Sequence, residues 1–95
     1  MPNYYDPDGQ PITMQDWLTK FSEANQRVAL DERDGIEVST VWLGRDHQYG
    51  DGPPLIFETM IFGGEHDEYQ WRYSTRAGAE AGHATACALA FGVAR

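Results

Sequence analysis

Apolar positions recur along this chain with two different periods. Met14, Trp17, Leu18 and Phe21 are spaced by threes and fours, the stripe of an amphipathic helix. Thr13 stands where an N-cap belongs. Asp16, three residues on, suits both a capping box and the positive end of the helix dipole. This first helix is expected over about 14–24. The period then changes. Arg27 to Asp31 and Ile36 to Leu43 flank Glu32-Arg33-Asp34-Gly35, and Asp-Gly between apolar runs is a strong hairpin signal. Leu55 to Phe62 is the most apolar segment. Leu55, Phe57 and Ile61 point one way along a strand, and Ile56, Met60 and Phe62 the other, so it reads as a central strand covered on both faces. Tyr69, Trp71 and Tyr73 alternate with Gln70, Arg72 and Ser74, a strand with one wet face. Ser74 or Thr75 can cap a second helix over about 76–91, rich in Ala and holding Gly78 and Gly82. Its small side chains let it lie close to a sheet.

Two segments are irregular. Asp6-Pro7-Asp8-Gly9 is a turn, since Pro7 presets φ, Asp6 bonds its own backbone and Gly9 accepts positive φ. It makes residues 4–12 a hook with Tyr4, Tyr5 and Ile12 as apolar contacts. Residues 44–54 form a loop with three glycines and two prolines, long for so small a domain.

The expected fold is a single α+β domain over residues 1–95. It is a four-stranded antiparallel meander with an N-terminal hook and two helices packed on one face. Two helices cover only one face of such a sheet, yet the central strands carry apolar residues on both. Either the hook and the long loop fold over the second face, or a second copy or another protein covers it.

Charge and composition narrow the function. The chain has 95 residues, 7 Lys+Arg against 15 Asp+Glu and a formal charge of −8. That balance argues against direct contact with nucleic acid or an anionic membrane. No apolar run reaches membrane-spanning length, and Met1 to Asp6 lack the basic, apolar start of a signal peptide. A lone cysteine, Cys87, excludes an internal disulfide and a Cys-based zinc cage. Its place in the Ala-rich helix suggests a buried, inert thiol.

Candidate chemistry is sparse. His47 and His66 flank the strand 55–62 and lie roughly 25 Å apart at about 3.3 Å per residue, too far to share an ion. His83 can return to the His47 end, near Asp46, Asp51 or Glu80, but no His-x-x-x-His or Cys pair supports a metal. Glu58 lies inside the apolar strand, either as a buried acid or paired with Arg45 or Arg72. No metal and no cofactor are expected.

The run Val38-Ser39-Thr40-Val41-Trp42-Leu43-Gly44, with Asp46-His47 and Gly50 to Gly64, resembles a family of small uncharacterised bacteriophage proteins, mainly from phages of mycobacteria and other actinobacteria. Tyr5 to Thr13, Arg72 to Thr75 and Ala81-Gly82-His83 fit the same pattern. The second helix departs from it, with Arg76 to Glu80 in place of the acids and Leu of relatives. The resemblance implies a phage source and the host cytoplasm, and carries over no catalytic residue.

The expected function is therefore a non-enzymatic phage accessory protein that binds a host or phage protein, one form being blockade of a host or defence factor. Trp42, Arg45, His47, Tyr49 and Phe57 are the expected partner-binding residues, because aromatics and Arg dominate interface energetics. Core packing is the competing reading for Trp42 and Phe57. The alternatives are a self-associating homodimer, or a small metal-dependent enzyme built on Asp46, His47, Glu58 and His83.

Overall fold

A computed structural model describes residues 3–21, 26–46 and 52–92. The elements follow in the order α1 (Met14–Phe21), β1 (Arg27–Arg33), β2 (Ile36–Trp42), β3 (Phe57–Phe62), β4 (Gln70–Tyr73) and α2 (Arg76–Phe91). The strands form one antiparallel sheet in the order β1-β2-β3-β4, the expected meander. Its first turn is Asp34-Gly35, both at positive φ (54° and 80°). That two-residue geometry matches strand twist, which explains why Asp-Gly closes the hairpin.

Both expected helix starts are capped. The Asp16 amide donates to Thr13 Oγ1 at 3.0 Å, and the Gly78 amide to Thr75 Oγ1 at 2.9 Å. Helix α1 buries less than its stripe suggests. Trp17 and Phe21 pack against the core, while Met14 and Leu18 are exposed.

Register assigns every strand side chain to a face. Val38, Thr40 and Trp42 of β2 lie opposite Ile61, Thr59 and Phe57 of β3, and all six are buried. Helix α2 covers them with Ala79, His83 and Ala86. Gly82 lets this helix approach so closely that the Tyr73 ring occupies the place of a Cβ. Trp71 lies on this side too, but β4 is an edge strand and Trp71 stays exposed, against the dry position its alternation suggests.

The hook does not reach the opposite face. Asp6 Oδ1 accepts from the Asp8 and Gln10 amides at 3.0 and 2.9 Å, closing the expected turn. Tyr5 packs into the helix-side cluster around Trp42, whose Nε1 donates to Tyr5 O at 3.1 Å. Among the described residues, α1, α2 and Tyr5 therefore all pack on one side of the sheet. Residues 47–51 of the long loop, and the expected end of α1 at 22–24, lie outside the described residues.

Candidate functional site

Two features stand out: a polar cluster between sheet and helix, and the open sheet face. The cluster starts on β1. Asp31 lies opposite Val38, on the side facing α2. There His83 and Cys87, four residues apart and so on one helix face, meet it. His83 Nε2 and Asp31 Oδ2 are 2.7 Å apart, and Cys87 Sγ donates to the same oxygen at 3.5 Å. The other imidazole nitrogen, Nδ1, is 2.7 Å from Thr40 Oγ1. Thr40 and Thr59, cross-strand partners, share a hydrogen bond. Beyond them the Tyr73 hydroxyl is buried without a hydrogen-bond partner of normal geometry.

The order Asp31–His83–Thr40 is that of an acid–imidazole–hydroxyl triad. Thr40 is fully buried and already bonded to Thr59, so no carbonyl can approach its oxygen. The arrangement orients the imidazole and offers no accessible nucleophile at Thr40. Only its Asp31–Cys87 end meets solvent, through the exposed Asp31 carboxylate.

Ionisation follows from these contacts. The His83 hydrogen bond, then that from Cys87, holds the Asp31 carboxyl below its ordinary 3.8. A carboxylate with a lowered folded pKa contributes stability above its ordinary value and loses it as pH falls through the lowered one. This contribution therefore fades only below about pH 4. Burial raises the Tyr73 hydroxyl, and the nearby Thr59 offsets that only in part. Burial and then Asp31 push the Cys87 thiol up to about 11. Cys87 is half-buried where full burial was expected, and its acidic neighbour favours the protonated thiol as packing does. Iodoacetamide should alkylate it at pH 8 about 100-fold more slowly than a free cysteine, because only the thiolate reacts. The rate should climb tenfold per pH unit toward 11. A rate equal to that of free cysteine at pH 8 would refute this environment.

The open face carries three cross-strand rows. They are Val41–Glu58–Arg72, Leu30–Ser39–Met60–Gln70 and Glu32–Glu37–Phe62. Arg27 joins the first row beside Val41. Glu58 is nearly buried, held by Arg72 Nε at 3.1 Å and by the Gln70 side-chain amide. The pairing reading of Glu58 thus holds, with Arg72 as the partner. Leu30 and Phe62 are each 45% exposed. Trp71 borders two shallow grooves at the β4 edge, one lined by Leu55, Gln70 and Arg72, the other by Tyr69, Tyr73, Gly82 and Thr85.

Three of the five residues expected to contact a partner, Trp42, Arg45 and Phe57, are described. Trp42 and Phe57 are wholly buried and serve the core, the competing reading for each. They cannot touch a partner unless the domain opens. Arg45 is exposed, with its guanidinium 5.9 Å from the Tyr4 ring and its backbone bridged to Tyr4. His47 and Tyr49 lie outside the described residues. Of the expected neighbours of His83, Asp46 accepts from the Leu55 amide and Glu80 from Arg76, while Asp51 lies outside the described residues. Asp31, Thr40 and Thr59 were not singled out by sequence reasoning. The one signal for them was the four-residue spacing of His83 and Cys87 on an Ala-rich helix.

No protein-family model matches the chain, and no curated protein or solved structure is similar to it. No described helix is long and apolar enough to cross a membrane. The fold is a two-layer α+β one, with both helices on one sheet face and the other face open among the described residues.

Proposed function

We propose that this chain is a non-enzymatic protein-binding module whose contact surface is the open sheet face. The observation that carries the reading is Leu30 and Phe62, each half exposed on a face that no described helix covers. An aromatic and an aliphatic side chain on a rigid sheet supply anchors at little entropic cost. Glu32 and Glu37 stand in the row of Phe62, so the complementary surface has an apolar pocket rimmed by Lys or Arg. The net charge of −8 favours such a basic partner over a second copy, which would bring like fields together. On the phage resemblance, the partner is a host or phage protein and the setting is the cytoplasm of an infected bacterium. Arg45, exposed beside Tyr4, is a peripheral contact at most in this arrangement.

The test is capture from host lysate with wild type, Leu30→Ser/Phe62→Ser and Arg45→Ala, followed by titration of the purified partner. Both face residues are half exposed, so the double variant should keep its fold and its circular dichroism. It should lose at least about 30-fold in affinity, the scale of a hot-spot anchor. Affinity for the wild type should also fall with added salt. Equal retention by the wild type and the face variant sinks the reading. Sedimentation distinguishes the other occupant, since a concentration-dependent dimer abolished by the same substitutions makes the face a self-association surface.

A further inference from the structure

We propose that Asp31, His83 and Cys87 form a binding site for a divalent metal ion of the zinc class, with a fourth coordination position open to solvent. The three ligand atoms, Asp31 Oδ2, His83 Nε2 and Cys87 Sγ, lie within 4.8 Å of one another. They come from two elements that pack directly, so one ion would staple edge strand β1 to helix α2.

The spacings are close to those a small tetrahedral ion requires. Zinc–nitrogen and zinc–oxygen bonds of about 2.0 Å and a zinc–sulfur bond of about 2.3 Å set ligand atoms about 3.3–3.5 Å apart. Sulfur and carboxylate oxygen already stand at 3.5 Å. Imidazole and carboxylate are closer, at 2.7 Å. The Asp31 side chain is 58% exposed and can withdraw by the half ångström or so that an ion needs. The imidazole need not move.

The surroundings of His83 strengthen the case. A metal-bound imidazole uses one nitrogen for the ion and donates from the other to a fixed acceptor. Here Nδ1 faces the Thr40 hydroxyl, which is buried and held in turn by Thr59. With the proton on Nδ1, that N–H donates to Thr40 Oγ1, the Thr40 hydroxyl donates to Thr59 Oγ1, and the Nε2 lone pair is left on the Asp31 side for an ion. The side chain is 8% exposed and held between sheet and helix, so its orientation is set before any ion arrives.

The donor set selects the ion. One thiolate, one imidazole and one carboxylate suit zinc and its neighbours in the first transition row, whereas calcium and magnesium take oxygen alone. Binding replaces the Cys87 S–H bond by a sulfur–metal bond and releases that proton to buffer, and the open fourth position takes a water. Two anionic ligands then neutralise the ion in a region where Arg33 is the neighbouring cation.

Cobalt(II) is the probe, since its thiolate charge-transfer and tetrahedral d–d bands report sulfur ligation and geometry. Chelator-treated, untagged full-length protein should bind it one to one with both features, and zinc should displace it. Cys87→Ser should abolish the charge-transfer band and weaken affinity about 100-fold or more, and Asp31→Asn should weaken it at least about 10-fold. Thr40→Val, which touches no ion, should also weaken binding by about 10–100-fold. His66→Gln, in the turn between β3 and β4, should change nothing. Cys87 is only half-buried, so the serine variant should fold, which circular dichroism checks. Absence of saturable cobalt bands in folded wild type overturns the proposal, as does a charge-transfer band that survives in Cys87→Ser.

Discussion

Replacing Gly44 with Ala should lower stability by about 4 kcal/mol and the melting temperature by roughly 20 °C or more. Two independent penalties meet at this residue. Its φ of +74° is a conformation that costs an L-residue about 1–2 kcal/mol. An added methyl would also strike the Trp17 indole and come within 2.6 Å of Trp42 Cζ2. Neither ring can yield. Trp17 Nε1 donates to Leu43 O at 2.8 Å, and its ring stacks on Phe21 with centroids 5.0 Å apart. Trp42 is fully buried, and its Nε1 is held by Tyr5 O. Relief therefore means breaking an indole hydrogen bond or displacing α1 or the hook. Gly9→Ala supplies the control, because Gly9 has a similar φ of +86° but nothing within 4 Å of an added Cβ. It should cost only about 1 kcal/mol. Chemical denaturation of both variants decides the matter, and equal losses would mean that the crowding at Gly44 relaxes freely.

The same contacts show what a sequence does and does not disclose. Hydrophobic period, Asp34-Gly35 and the caps at Thr13 and Thr75 were enough to order the strands and place both helices, because each of these signals is local. Helix α2 spans Arg76–Phe91, where the Thr75 cap and the Ala run put it. The use of Gly44 was not legible, since it depends on two indoles meeting from positions 17 and 42. Nor was the polar cluster. Asp31 sits in a hairpin arm where a charged residue reads as solvated, and only its register with Val38 turns it toward α2. The Thr40–Thr59 pairing crosses the long connection between β2 and β3, whose length leaves register unspecified by any turn. His83 was the one buried polar residue of α2, and an Ala-rich helix does not announce which side chain of the sheet will meet it. The second sheet face was legible only as a question. Two-sided apolar patterning of β3 called for a cover, by the hook and the long loop, a second copy or another protein; the hook packs on the helix side, and residues 47–51 lie outside the described residues.

The second large effect concerns that cluster and has an unusual sign structure. Thr40→Val should cost about 3 kcal/mol in metal-free buffer, although it changes one hydroxyl to a methyl of nearly equal volume. The loss arises because two buried groups, His83 Nδ1 and Thr59 Oγ1, are left without the oxygen they now share. Each unsatisfied polar group costs about 1–3 kcal/mol when water cannot reach it, and Thr59 is fully buried. Removing the remaining partners should recover much of this. In the triple variant Thr40→Val/Thr59→Val/His83→Leu the imidazole and both threonine hydroxyls are gone and apolar groups of similar size fill the space, while the Tyr73 hydroxyl beside them stays unpartnered as it is in the wild type. Asp31 loses its imidazole partner but keeps water, being exposed. The triple variant should therefore be more stable than Thr40→Val alone by about 2 kcal/mol, despite carrying two further core substitutions. Simple additivity predicts the opposite order, with each added change deepening the loss. If the triple variant proves the less stable, the cluster contributes net stability to the fold. If it proves the more stable, the row is retained at an energetic cost, and orientation of His83 toward Asp31 and Cys87 is the property that the cost supports.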